Sequence, residues 1–209
     1  FHPLQKLWAK WQAEHQRSLI LGPRNFGKSE VDTYYVLQRT VIDPNLRYLL
    51  LSLTEDKAIV HLRKMRRHLE YNETFRWIFG DLRGERWTDT ELEFKGRTEP
   101  HGEATISATG VGGGLVVSQH YDGVMADDIL TGESSRTLGR RNTLKEWWYN
   151  DFVRVLFPWS TLHVKGTRWH REDHYRHLML NDFRDTTLIT VALDPLTDRS
   201  TWEGRFPTE

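Results

Sequence analysis

The stretch LILGPRNFGKSE, residues 19–30, decides the fold. A short apolar strand, Ser18 to Leu21, meets Gly22, and Gly27, Lys28 and Ser29 follow at the spacing G-x-x-x-x-G-K-[ST]. The glycines permit backbone torsions that turn successive N–H groups inward. A helix expected from Lys28 to Val41 points its positive end at the same place. In such a loop the lysine ammonium reaches the β- and γ-phosphates and the serine hydroxyl ligates Mg²⁺. The loop residues Pro23, Arg24, Asn25 and Phe26 then belong to the same candidate nucleotide site as Gly22, Gly27, Lys28 and Ser29. The competing reading is a chance match in a glycine-containing turn. A strand before the loop and a helix after it argue against that.

Working outward, Pro3 to Gln16 reads as a helix with Leu4, Leu7, Trp8 and Trp11 on one face. Asp43-Pro44-Asn45 ends the helix after the loop. Arg47 to Leu53, RYLLLSL, is nearly all apolar, as a parallel strand buried on both faces requires. Thr54 caps a helix running to about Leu69. Helix, strand, helix, strand, helix is the order of an α/β fold with a mainly parallel central sheet. The middle differs: Trp87 to Phe94 and Ala104 to Ala108 read as a small hairpin or meander around KGRTEPHGE, followed by a glycine-rich loop, Gly110 to Gly114. Beyond it come a strand in YDGVMADDIL, a largely helical Ser134 to Val155 with a break near Gly139, a strand in STLHVKG, a helix from Glu172 to Leu180 and a last strand in TTLITVAL. Residues 1–209 are expected to form a single domain, with the turn-rich 195–209 as its edge or a linker.

Composition sets limits on partners and compartment. Lys+Arg and Asp+Glu balance at 29 each, so contact with nucleic acid must come from a local patch and not from bulk charge. The absence of cysteine excludes disulfides and thiolate metal sites and fits a reducing compartment. No apolar run approaches a membrane span, so no membrane partner is expected.

Two further elements complete a nucleotide site. In GVMADD an apolar strand ends in acids. Asp127 is the candidate for holding Mg²⁺ and Asp128 for the base that activates or orients the attacking water. The bland reading is a solvated strand end or helix N-cap. Asp122 is weaker, because the apolar segment follows it. In TLHVKGTRWH the strand runs straight into Gly166-Thr167-Arg168, where Thr167 is suited to bond a phosphate oxygen or the attacking water, unless this is an ordinary Gly-Thr turn.

Taken in order, these elements resemble the N-terminal packaging-ATPase domain of the large terminase subunit of tailed bacteriophages, over nearly the whole chain. HPLQ resembles that family's adenine-contacting Gln element and points to Gln5. LGPRNFGKSE resembles its Walker A with an internal arginine, here Arg24, and MADDI its double-Asp Walker B. RRNTLKEWWYNDFVRVLFPWSTLHVKGTRWHREDHY resembles the following helix and coupling motif, and STWEGRFPTE the handover to a nuclease domain. The resemblance implies a P-loop NTPase of the additional-strand class that uses ATP and Mg²⁺ to drive double-stranded DNA into a procapsid. It implies a homo-oligomeric ring, usually a pentamer, working with the portal protein and the small terminase subunit in the host cytoplasm. Arg24 matches the arginine proposed to stabilise transition-state charge from the same subunit; a structural salt bridge is its alternative.

The sequence also departs from the pattern. Many relatives carry an arginine in the glycine-rich stretch before Walker B, where this chain reads GVGGGLVVSQH. Arg136, Arg140 and Arg141 are substitutes for a trans-acting finger; with Lys145 they form a cluster that could instead meet DNA phosphates or simply face solvent. The family's metal-binding nuclease acids have no counterpart, so the chain is expected to be a fragment without nuclease activity. Three rival readings stand beside this one. His170, His174 and His177 fall near one helix face, as in a zinc hydrolase, but H-R-E-D-H matches no zincin pattern and a solvated face accounts better for it. A helicase-like P-loop ATPase shares the phosphate site. A nucleotide-binding module without turnover is disfavoured by Lys28, Asp127 and Asp128 together.

Overall fold

The computed structural model describes residues 1–114 and 119–208. Of the glycine-rich stretch GVGGGLVVSQH, residues 115–118 therefore lie outside the described residues. Helix α1 (Pro3–Glu14) starts with a reciprocal cap: His2 accepts from the Leu4 amide at 3.3 Å, and the Gln5 carbonyl oxygen accepts from the His2 amide at 3.0 Å. Pro3 at the first helical position suits its fixed φ. Strand β1 (Arg17–Leu21) leads into α2 (Lys28–Ile42), and β2 (Tyr48–Ser52) into α3 (Glu55–Tyr71). Next come α4 (Glu73–Phe79), β3 (Arg83–Trp87), β4 (Glu91–Phe94), β5 (Ile106–Gly110) and β6 (Tyr121–Asp127). The remaining elements are α5 (Leu138–Trp147), β7 (Leu156–Gly166), α6 (His174–Leu180) and β8 (Thr187–Ile189).

The strands form one eight-stranded mixed sheet in the order β3-β4-β5-β2-β6-β7-β1-β8. From β5 to β8 every pairing is parallel; β3 and β4 are added antiparallel at one edge. The expected α/β class with a mainly parallel sheet and a small antiparallel insertion is thus the architecture observed. Strand β2 is buried along its whole length, as its unbroken apolar run requires. Its side chains alternate between two cores. Leu49 and Leu51 join Leu19, Leu21, Trp148, Phe152 and Tyr175 on one face. Tyr48 and Leu50 join Val36, Leu37, Leu62 and Met65 of α2 and α3 on the other. Truncating one of the fully buried aromatics, such as Phe152, costs about 3–5 kcal/mol.

Several expected boundaries are corrected. Trp87 to Phe94 is not one strand: Thr88, Asp89 and Thr90 turn it into the β3–β4 hairpin, tied by the Thr88 amide donating to the Glu91 carbonyl at 2.8 Å. Helix α4 was not expected; Asn72 ends α3, its amide donating to the His68 carbonyl, and caps α4 with its side chain, which accepts from the Phe75 amide. The helix expected from Ser134 begins at Leu138, where Thr137 caps it, and Gly139 lies inside it without a break. It ends in a π-helical turn, Trp148–Phe152, and a 3-10 turn, Val153–Val155. That widening inserts Trp148 and Phe152 together into the core. The helix expected from Glu172 starts at His174, capped by Asp173, and the last strand shrinks to Thr187–Ile189. The segment read as an edge or linker folds back onto the domain: Trp202 and Phe206 pack on a small core of Trp8, Ile20, Phe26 and Val31. Among the described residues no helix is long and apolar enough to cross a membrane.

Candidate active site

Three parallel strands deliver the site from their carboxyl ends, where open α/β sheets hold ligands. Strand β1 runs into the loop at Gly22, β6 ends at Asp127, and β7 ends at Gly166 beside Thr167. Strand β7 lies between the other two, with Leu21 opposite Gly166 and Asp127 opposite Lys165.

Glycine is required at both marked positions of the loop, for different reasons. A Cβ on Gly22 would stand 2.7 Å from the Thr190 hydroxyl and 3.3 Å from the Trp8 ring. Gly27 holds φ +76° at the start of α2, and a Cβ there would meet the Gln5 amide nitrogen at 2.4 Å. Asn25 also adopts a left-handed φ of 62°, so the loop curls back over the leading amides of α2. The Glu30 and Val31 amides donate to the Gly27 carbonyl at 3.2 and 3.4 Å, and the amides of Lys28 and Ser29 precede these first helical bonds. They open onto a cleft of about 580 Å³ bordered by Gly27, Lys28 and Ser29 on one side and Asp128 on another.

Inside this cradle the Lys28 ammonium donates to the Gly22 carbonyl at 3.1 Å and the Pro23 carbonyl at 2.8 Å, and reaches the Thr167 hydroxyl at 3.4 Å. Burial lowers its pKa, against the raising pull of Asp128 and Asp127. Thr167 donates to the Gly22 carbonyl at 3.0 Å, so the end of β7 is fastened to the loop. The Ser29 hydroxyl donates to Asp127 Oδ2 in a short hydrogen bond, and His61 of α3 lies 3.4 Å from the same oxygen. Asp127 Oδ1 is buried without a hydrogen-bond partner. Asp128 follows with φ +47°, its amide donating to the Lys165 carbonyl at 3.0 Å. Its Oδ1 also has no partner, and burial, then the charge of Asp127, raises its pKa.

All the residues expected at this site lie in or next to it, in different roles. Gln5 borders the cleft, although its carbonyl oxygen serves the α1 cap and its amide nitrogen abuts Gly27. Arg24 and Asn25 face the cleft; the Arg24 guanidinium sits 3.8 Å over the Trp169 ring. Pro23 contributes its carbonyl. Phe26 contributes backbone only: its side chain is 4% exposed and stacks on Phe206. Asp122, the weaker acid, is bound in a two-pronged ion pair with Arg47 at 2.8 and 3.0 Å. Arg140 pairs with Glu133 at 3.0 Å and Arg141 donates to the Ser135 carbonyl at 2.8 Å, so both fasten the turn before α5. Arg168 is held by Asp173 and by the carbonyls of His170 and Arg171.

The three histidines do not share a solvated face. His174 is 2% exposed, and burial lowers its pKa to about 3. Its ring lies against Trp148 and 6.1 Å from the His177 ring. His170 accepts from the Glu172 amide at 2.9 Å, within its own turn.

Sequence reasoning missed five contributors. Lys64 of α3 and Arg205 of the tail add positive charge to the cleft, His61 reaches Asp127, and Trp169 carries Arg24. Lys165 is fully buried under the loop, paired with Asp32 at 2.6 Å. For Lys165 a signal existed: His163 and Lys165 are polar residues in β7, a strand that needs apolar residues on both faces. No protein-family model matches the chain, and no curated protein matches it.

Proposed function

We propose that this chain is an Mg²⁺-dependent ATPase of the additional-strand P-loop class, acting as the packaging-ATPase domain of a phage large terminase. One observation carries the ATPase reading: Lys28, Ser29, Asp127, Asp128 and Thr167 converge from three strand ends, with β7 interposed between the loop strand and the acid strand. The donor set fits Mg²⁺ and a triphosphate. Ser29 and Asp127 offer hard oxygens side by side, and Asp127 Oδ1 and Asp128 Oδ1 are buried and unpaired. Mg²⁺ at NTP sites takes one or two carboxylates, with phosphates and waters completing its shell. Ser29 and Asp127 would hold the ion, which supplies neutralisation of charge on the β- and γ-phosphates.

The chain's own groups perform the remaining work. Lys28, now bonded to two loop carbonyls, transfers those bonds to β- and γ-phosphate oxygens, and the α2 amides join it. Asp128, buried and holding its proton more tightly than an ordinary aspartate, takes the proton of the attacking water. Arg24 leaves the Trp169 face to meet charge developing on the γ-phosphoryl group. Thr167 orients the water or the phosphate beside Lys28. The terminase assignment rests on the resemblance of the Gln5, Walker A, Walker B and Gly166-Thr167-Arg168 segments in their order. It brings double-stranded DNA, the portal protein, the small terminase subunit, a pentameric ring and the host cytoplasm as proposed partners and setting.

Steady-state ATP turnover of Lys28→Ala and Asp128→Asn tests the site. Both should fall by roughly 10²-fold or more. Wild-type turnover in either variant refutes it.

A further inference from the structure

Strand β7 carries a buried polar row that the phosphate site does not explain. His163 and Lys165 alternate along it and point to the same side, and Thr167 follows just past its end. His163 is bonded to Ser18 at 2.8 Å and Tyr35 at 3.1 Å; Thr167 is bonded to the loop. Lys165 stands between them with no exposure at all. Its ammonium donates to Asp32 Oδ1 of α2 at 2.6 Å, to Gln12 Oε1 of α1 at 2.9 Å and to the Lys28 carbonyl at 3.4 Å. Gln12 closes the triangle by donating to Asp32 at 3.2 Å.

The main chain of the same residue faces the other half of the site. The Lys165 carbonyl accepts from the Asp128 amide at 3.0 Å and from the Tyr175 hydroxyl at 3.2 Å. Asp128 needs that anchor, because its left-handed φ of 47° is unfavourable for a residue with a Cβ. One residue therefore grips the first turn of the loop helix with its side chain and the acid after β6 with its backbone. A buried ion pair is poor value as pure stabiliser, since apolar side chains of like volume usually do as well or better. What it can provide is a fixed geometry among α1, α2 and β7.

The geometry points to Lys165 as a positioning residue, held by Asp32 and Gln12, that sets the distance between Lys28 and Asp128. The inference rests on the ATPase reading for its catalytic consequence, but not for its structural one. Lys28 and Asp128 must meet opposite ends of the same phosphoryl transfer, and misplacement by about 1 Å can cost roughly 100-fold in rate.

The test replaces the whole network, Lys165→Met with Asp32→Leu and Gln12→Met, so that no charge is stranded. Thermal unfolding, amide hydrogen exchange of the ligand-free chain and ATP turnover are then compared with wild type. The expected result is an unfolding midpoint near wild type and exchange about tenfold faster in peptides spanning 22–30 and 127–130. With it, kcat falls by roughly 10- to 100-fold while KM changes little. Wild-type exchange in both peptides overturns the inference, whatever the turnover. Absent turnover in the wild-type chain would instead count against the ATPase reading, and the exchange arm would still judge Lys165. If the triple variant does not fold, Asp32→Asn alone keeps the shape and weakens the grip. It should raise exchange in the same two peptides, and unchanged exchange there refutes the proposal.

Discussion

Acidification should weaken this domain through His174, and the size of the effect follows from its surroundings. The ring is buried against Trp148, both of its nitrogens lack partners, and its pKa is lowered from 6.5 to about 3. The folded chain thus keeps His174 neutral at a pH where the unfolded chain protonates it. A base with a depressed folded pKa contributes stability above its unfolded pKa and loses it as pH falls from about 6.5 towards 3. At pH 5 the unfolded state gains RT ln(1 + 10^1.5), about 2 kcal/mol, from this one group. His163, also lowered to about 3 by burial, adds a similar loss. Asp32 works in the opposite direction, because burial raises it to about 6 and the folded chain takes up its proton first. The informative perturbation is His174→Leu, which removes the titration without stranding a hydrogen-bond partner. Urea unfolding of both proteins at pH 7 and pH 5 reads it out. The drop in unfolding free energy between the two pH values should be about 2 kcal/mol smaller in the variant. Equal drops would show that His174 is not held neutral inside the fold.

Arg24→Ala should lower kcat by roughly 10²- to 10³-fold with a smaller change in KM, as expected of a group that acts on transition-state charge. An unchanged kcat would leave the cation–π contact with Trp169 as its only task. Gly166→Ala should destabilise the chain by about 1–3 kcal/mol in urea unfolding, because the new Cβ would stand 2.2 Å from the Tyr175 ring. The same substitution shifts Thr167, so turnover should fall with stability.

The strand–loop–helix unit around residues 22–29 was legible because its determinants are local: two glycines, a lysine and a serine between a strand and a helix. The buried strand β2 was legible for the same reason, since seven consecutive residues, 47–53, declare its environment. Asp127 and Asp128 could be placed because an apolar run ends on them. What could not be read depends on partners far along the chain. Lys165 is explained only by Asp32 and Gln12, each more than 130 positions away. The inward turn of His174 is set by Trp148, and that placement depends on a π-helical turn with no sequence marker of its own. The β3–β4 turn was hidden because Thr88, Asp89 and Thr90 also tolerate extended backbone.

Phe26 gives the loop a second side. Its backbone belongs to the curve around Lys28, whereas its ring stacks on Phe206 at 4.7 Å and meets Trp202 edge-on at 5.6 Å. The stretch around Trp202 and Phe206 is consequently geared to the loop without passing through the sheet. A displacement of the loop by an ångström or so must slide or tilt that aromatic stack, and a pull on the stack must load the loop. The domain thus carries a short mechanical linkage, one side chain long, between the loop of residues 22–27 and the segment around Trp202 and Phe206.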